Sequence, residues 1–472
     1  MLFSNFVLMK EKNNINNDLL QFIKIVNELI SSENNDPSFK EPEELLKTVN
    51  ISLNDSPTDD TEFYQILKKV IKETPKTSSK IFFNQLFGGR HSKSVIGDLL
   101  AVLLNNSMAT YKISGIQTLI EKQILEEVRK KIKYPPEYGG TFPTGGSMSN
   151  FMTLVAARDK ISNYRIDGES KKRLILYCSE TAHYSIKKNV SFSGIGTNNV
   201  RIISVDNNGE MNCKELETSI QIDLKNNLCP FYVNTTAGAT VLGSFDNFDE
   251  ISKICKKYNL WLHIDGAFGG SLIFSKQHNK LLRGIEKSDS FCFNAHKTLG
   301  APLSCSVLLF KNDQDLLRSF DTDANYLFQT HNDKYNLGKT SFECGRRNNA
   351  LKFWTLWKSV GGIGMQNIVE KQFLISNKIK EHLSKKSEYK LIGPRYSLPI
   401  CFTYKNIDSV DLCNQLYYSN KLMVSYGFHA HKPFVRLVNV NSQNGIEEVK
   451  NFFKIMEDFV EENYEHLKKI SN

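Results

Sequence analysis

No C-x-x-C pair occurs among the nine cysteines, and their odd number closes no disulfide framework. A zinc ribbon or a secreted disulfide scaffold is therefore not expected, and a reducing compartment is. The net charge of +9 has no single block behind it. Lysines are spread along the chain in pairs such as Lys130 with Lys131, Lys187 with Lys188 and Lys256 with Lys257, without interleaved aromatics. These pairs read as solvated faces, so no nucleic-acid partner is expected, although a basic surface would draw in an acidic substrate. The apolar start, residues 1–9, has no basic flank and is too short for a signal peptide or a membrane span, which makes a cytoplasmic protein without a membrane partner the expectation. The Walker and dinucleotide fingerprints are missing too.

What is present describes an ordinary globular chain: 472 residues, 40% hydrophobic and 24% charged, enough for two or three domains. Helical patterning is weak over 19–30 and clear over 62–71, 95–104 and 115–132, and Pro135-Pro136 closes that section. Residues 80–89, KIFFNQLFGG, pack aromatics, amides and a Gly pair together, either as a buried turn or as a pocket wall in which Gln85 presents donors. From residue 173 the pattern alternates: strands over 173–178, 201–205, 230–234 and 260–264, with helices over 213–224 and 248–258. That alternation predicts an α/β fold with a mostly parallel sheet and crossover helices.

The chemistry concentrates at the ends of those strands. In DSFCFNAHK (289–297) an apolar strand delivers Asn294, His296 and Lys297 to a strand end, where α/β sheets place their ligands. A lysine buried there as a bare ammonium is costly, and lysines held in this way form Schiff bases. In LWLHIDGA (260–267) a second apolar strand ends in Asp265, followed by Gly266 and Ala267. A carboxylate and an amine on neighbouring strands suit pyridoxal 5'-phosphate, for which the lysine is the covalent anchor and the acid keeps the ring nitrogen protonated. The glycines of GGTFPTGGSMSN (139–150) open a helix over 151–161 and make an anion site, although Ser149 or Asn150 could equally cap that helix. His183, in SETAHYS just past a strand, is either a satisfied structural histidine or a stacking partner for a cofactor ring. Thr240 could cap the following segment or face the cofactor.

Together, TGGSMSN, SETAHYS, NTTAGATVLGSFDN, WLHIDGAFGG, FNAHKTLGAPLSCS and ECGRRNNALKFWTLW resemble, in order, the pyridoxal-phosphate-dependent group II amino acid decarboxylases. The likeness is greatest to the glutamate decarboxylase and cysteine sulfinate decarboxylase branch and covers roughly residues 81–440. It implies the type I, aspartate aminotransferase-like transferase fold, with a seven-stranded-type sheet and a small C-terminal α+β domain. The expected divisions are an arm over 1–92, a cofactor domain over 93–345 and a small domain over 346–472, assembled as a homodimer. Position by position, the resemblance makes Lys297 the cofactor's anchor, Asp265 its ring-nitrogen partner and His183 its stacking residue, with Ala267 on the opposite face and Thr240 beside the ring. Gly146, Ser147, Asn294 and His296 would hold the phosphate. Arg436, in PFVRLV (433–438), would bind the distal acid of a small acidic amino acid by forked hydrogen bonds, with help from Gln85.

Phe87, in place of the serine of glutamate decarboxylases, together with Ser107 resembles the cysteine sulfinate pattern, whereas Ala109 replaces an expected aromatic. Bulk at Phe87 favours shorter acids such as cysteine sulfinate and aspartate over glutamate. The family's mobile loop, here residues 330–342, is shorter by a few residues and holds a single tyrosine, Tyr335, as candidate catalytic acid, with His331 as a substitute. The expected reaction is α-decarboxylation to an amine and carbon dioxide. The alternatives are an aminotransferase or lyase of the same fold, and a cofactor-binding protein whose shortened loop impairs turnover; Arg436 and Gln85 argue against aromatic substrates.

Overall fold

The computed structural model describes residues 15–34, 39–328 and 333–471. Eleven strands form among them: β1 (Gly139–Thr141), β2 (Leu174–Ser179), β3 (Val200–Ile203), β4 (Cys229–Thr236), β5 (Trp261–Gly266), β6 (Ser290–Asn294), β7 (Ser306–Phe310), β8 (Tyr389–Ile392), β9 (Ile400–Tyr404), β10 (Ser425–His429) and β11 (Lys432–Leu437). The first seven make one sheet in the order β1-β7-β6-β5-β4-β2-β3. β3, β2, β4, β5 and β6 run parallel, and β7 and β1 are antiparallel to their neighbours.

A parallel sheet needs cover on both faces, and the alternation within each strand supplies it. Leu176 and Cys178 face one way, into a core with Met152 and Leu154 of the helix Gly146–Ile161. Ile175 and Tyr177 face the other way, against Leu216 and Ile220 of the helix Cys213–Lys225 and Ile251 and Ile254 of the helix Phe248–Tyr258. The helix Gly146–Ile161 thus lies across the middle of the sheet with its N-terminus at the carboxyl ends of β5 and β6.

The sheet is mostly parallel, as expected, with an antiparallel margin that the alternation of strands and helices does not locate. β1 consists of Gly139, Gly140 and Thr141, paired with Phe310, Leu309 and Leu308. Two glycines carry no periodicity, so this strand is dictated by its partner.

The second sheet, in the order β10-β11-β9-β8, is antiparallel throughout and packs on the helices Ser409–Tyr418 and Ile446–Ser471. Phe83, far away in sequence, belongs to its core. Its backbone N–H donates to Met423 O at 2.7 Å, and Val438 N–H donates to Phe83 O at 3.0 Å. The segment around Gln85 is thereby tied to the small domain. The helix Ala350–Leu383 spans both layers and is interrupted at Gly361, whose φ of +65° only glycine adopts without strain. Its first turns are core: Phe353 packs edge-on against Phe274 and Phe293, and Trp357 edge-on against Phe274. No helix among the described residues is long and apolar enough to cross a membrane.

Candidate active site

A cavity of about 230 Å³ opens at the carboxyl ends of the central strands. Gly146, Ser147 and Asn150 line it from the helix N-terminus, His183 and Tyr184 from the turn after β2, and Thr236, Gly238 and Thr240 from β4 and beyond. Asp265, Ala267 and Phe268 come from β5, and Asn294 and Lys297 from β6. Eight of the residues read from the sequence (Gly146, Ser147, His183, Thr240, Asp265, Ala267, Asn294 and Lys297) therefore meet in one place.

Lys297 follows β6 by three residues and forms no salt bridge. Its side chain opens partly to the cavity, yet protein crowds the amine enough that desolvation pulls its pKa down; nearby Asp265 and Cys292 oppose this and Arg436 adds to it. An amine so placed is neutral more often and hence nucleophilic. Asp265 is fixed by two N–H donors, Ala267 N–H to Oδ1 at 3.0 Å and Asn150 Nδ2 to Oδ2 at 2.7 Å, with the Cys292 thiol 3.9 Å from Oδ1. His183 is set by Ser185, whose hydroxyl lies 2.8 Å from Nδ1 and whose backbone N–H donates to the same nitrogen at 3.2 Å. Burial lowers the His183 pKa.

At the other end of the cavity the helix Gly146–Ile161 starts without a side-chain cap, and the N–H groups of Gly146, Ser147 and Met148 have no partner. Gly146 keeps the approach close, because a Cβ there would lie 3.0 Å from Ala267 Cβ and 3.3 Å from Asn294 Nδ2, which would have to give way by a few tenths of an ångström. Asn294 Oδ1 accepts from Ser306 Oγ at 2.6 Å.

Five predicted residues lie elsewhere. His296 is buried but does not line the cavity; its Nδ1 accepts from Cys305 N–H at 2.9 Å, and burial lowers its pKa to about 4. Arg436 is 8% exposed and has no carboxylate partner: Nη1 donates to Ser425 Oγ at 3.0 Å and Asn84 O at 3.3 Å, and Nε is unsatisfied. The Asn84 contact brings the Gln85 and Phe87 segment beside Arg436, with Gln85 exposed and Phe87 half-buried. Tyr335 packs on Tyr111, with ring centroids 5.5 Å apart, and lies under Lys122 and Lys334. His331 lies outside the described residues.

Asn150, Tyr184, Thr236, Gly238 and Phe268 were not read as site residues. Asn150 had a signal, its place one turn into a Gly-started helix, but a cap explained it as well. The structure removes the cap reading: Asn150 is inside the helix, 1% exposed, with its amide on Asp265.

The pyridoxal-dependent decarboxylase conserved domain matches residues 42–405. The chain belongs to this decarboxylase family. Acidic amino acid decarboxylase GADL1 of Bos taurus is 38% identical over 376 residues, covering 78% of this chain and 71% of the relative. Cysteine sulfinic acid decarboxylase of Rattus norvegicus is 34% identical over 78% of this chain and 75% of its own. The crystal structure of mouse CSAD superposes with a TM-score of 0.89 at 28% identity, over 94% of this chain and 98% of that one. The chain is thus a pyridoxal-phosphate-dependent carboxy-lyase of the type I fold that catalyses α-decarboxylation.

The residues of this decarboxylase fit the cofactor. Unpartnered N–H groups at an uncapped helix start suit its phosphate, and Asp265, held by two N–H donors, suits a protonated ring nitrogen. Ala267 and the half-buried His183 suit the faces of a flat ring, and Lys297 suits its aldehyde.

Proposed function

We propose that this decarboxylase acts on a small acidic amino acid of the size of cysteine sulfinate or aspartate, with Lys297 as the cofactor's anchor. One observation carries the choice of an acid: Arg436 is a buried guanidinium with no carboxylate of its own, an unsatisfied Nε and a charge felt at Lys297. A buried cation without a counter-ion is costly unless a ligand brings one, and a fork of N–H donors matches a carboxylate or sulfinate. Asn84 O and Ser425 Oγ hold the guanidinium in place, and Phe87 lies three residues along the chain from Asn84.

Bound pyridoxal phosphate supplies the electron sink for the bond that breaks. The protein's part is binding, orientation and proton placement. Arg436 anchors the distal acid group, so the rest of the substrate is directed toward Lys297. Asp265 presents its carboxyl group to the cavity, fixed by Asn150 and Ala267. His183 and Ala267 limit movement of a flat group between them. Lys297 Nζ, with its lowered pKa, is the cavity group that takes or returns a proton.

The test is carbon dioxide release from cysteine sulfinate, aspartate and glutamate, measured separately. Arg436→Ala is expected to lower kcat/KM for the preferred acid roughly 100-fold or more, and Arg436→Lys to recover part of it. Unchanged kcat/KM in Arg436→Ala contradicts the assignment.

A homodimer belongs to the same proposal. The helix Ser92–Leu104 exposes Ile96, Leu99, Leu100, Val102, Leu103 and Leu104, and Ile113 and Ile116 follow close by in sequence. Six exposed apolar side chains on one thirteen-residue helix suit burial against a second copy of the chain.

A further inference from the structure

Behind the cavity wall a buried series of hydrogen bonds joins β5 and β6 to the helix Gly146–Ile161. Trp261 Nε1 donates to Ser290 Oγ at 2.9 Å; Ser290 Oγ lies 2.9 Å from His263 Nδ1; His263 Nε2 lies 3.0 Å from Asn150 Oδ1. The Asn150 amide then forks, to Asp265 Oδ2 at 2.7 Å and to Ser185 Oγ at 3.2 Å, and Ser185 Oγ bonds His183 Nδ1 at 2.8 Å. Ser290 and His263 are wholly buried and Asn150 nearly so, which leaves no room for water to replace a missing partner.

The chemistry of the donors fixes one direction. The Asp265 carboxylate only accepts, so the Asn150 amide turns Nδ2 to it and Oδ1 to His263, and the Ser290 hydroxyl, itself accepting from the indole N–H, directs its proton to Nδ1 of the neutral ring. That nitrogen is then an acceptor, and the histidine proton sits on Nε2, facing Asn150 Oδ1. Both N–H bonds of the Asn150 amide are left for Asp265 and Ser185. Turning the amide over would set its carbonyl against the carboxylate and its N–H against an N–H, so only one orientation satisfies every group. At His183 the backbone N–H of Ser185 marks Nδ1 as the acceptor.

We propose that Asn150 is a positioning residue, locked by the Trp261–Ser290–His263 series, whose single amide sets two residues of the cofactor site together: Asp265 directly and His183 through Ser185. This deepens the reading of the cavity as the pyridoxal phosphate site and rests on it. A neutral His263 gives the series its direction as far as Ser290, since an imidazolium would turn an N–H toward Ser290 and reverse that one bond while Nε2–H stays on Asn150 Oδ1. Burial supplies that neutrality by lowering its pKa to about 4, against an opposing pull from Asp265. Of the groups around His263, Asp265 on its own strand and the Ser290 backbone of β6 favour the charged ring and are outweighed by burial; Tyr232 of β4, stacked at 6.2 Å, the Ser290 hydroxyl and Asn150 from the helix are uncharged.

Two measurements on the full-length protein test this. In wild type labelled with 15N-histidine, with and without pyridoxal phosphate, His263 is expected to stay in the neutral Nε2–H form from about pH 5.5 to 8. A neutral Nδ1–H tautomer, which would leave Asn150 Oδ1 without its donor, overturns the proposal, and this readout needs no variant to fold. Second, His263→Leu and His263→Gln are compared by the pyridoxal phosphate dissociation constant and by the pH midpoint of the bound cofactor's visible band. The Leu variant is expected to weaken binding roughly 10- to 100-fold and move the midpoint. The Gln variant, whose amide can still donate to Asn150 Oδ1, is expected to restore most of both. A folded His263→Leu with wild-type values, or equal losses in Leu and Gln, overturns the relay alone. A wild type that takes up no pyridoxal phosphate overturns the cavity reading beneath it.

Discussion

Lys297 and Asp265 reach the cavity from the ends of adjacent parallel strands and are held there by opposite means. The acid has two N–H donors, and the amine has none of its own but is stripped of water. The same stripping acts on the two neighbouring histidines, His263 and His296, whose pKa values fall from 6.5 to about 4. The sign follows: below about pH 6.5 the unfolded chain takes up protons that the folded chain refuses, so stability is lost as pH falls toward 4. For His263 alone the loss is on the order of 3 kcal/mol across that window. Urea unfolding at a series of pH values is expected to show it, with a shallower slope in His263→Gln; an unchanged slope contradicts buried neutral histidines. At this scale the sequence made the cavity residues on strand ends legible, because short apolar runs ending in Asp or Lys announce their chemistry. It could not make Asn150 legible, since spacing along a helix does not say what an amide touches across a sheet.

Among the elements, the strands with long apolar runs were readable and the margin was not. LILYCS and WLHIDG are buried on both faces, so composition alone marks them, whereas β1 has only Gly139, Gly140 and Thr141 and takes its register from β7. The helix Ile116–Ile132 shows a further gap between pattern and structure. Its Glu121 sits on the buried side and receives a bidentate pair from Arg346, at 2.9 and 3.0 Å, with both side chains essentially unexposed. Arg346 lies in the ECGRRNN stretch, so this pair ties that helix to the segment leading into Ala350–Leu383. Arg346→Ala leaves a buried carboxylate unpaired and is expected to cost about 3–5 kcal/mol in urea unfolding. A cost below about 1 kcal/mol contradicts a fully buried pair.

For the whole molecule, the apolar face around the helix Ser92–Leu104 and the placement of Tyr335 outside its own chain's cavity raise one question: which copy a loop residue serves. If the proposed homodimer forms through this helix, wild type sediments as a dimer and Leu100→Asp with Leu103→Asp as a monomer; a variant that still sediments as a dimer contradicts this interface. If Tyr335 serves the partner's cavity, mixing inactive Lys297→Ala with inactive Tyr335→Phe restores turnover, since one mixed site then holds both groups. No restoration, with Tyr335→Phe inactive alone, places its action within one chain. All of this stands on the identity of a single amine. The most direct measurement is to reduce the pyridoxal-phosphate-loaded protein with borohydride and map the labelled peptide by mass spectrometry. The account predicts a phosphopyridoxyl group on Lys297; a label on another lysine, or none, contradicts it.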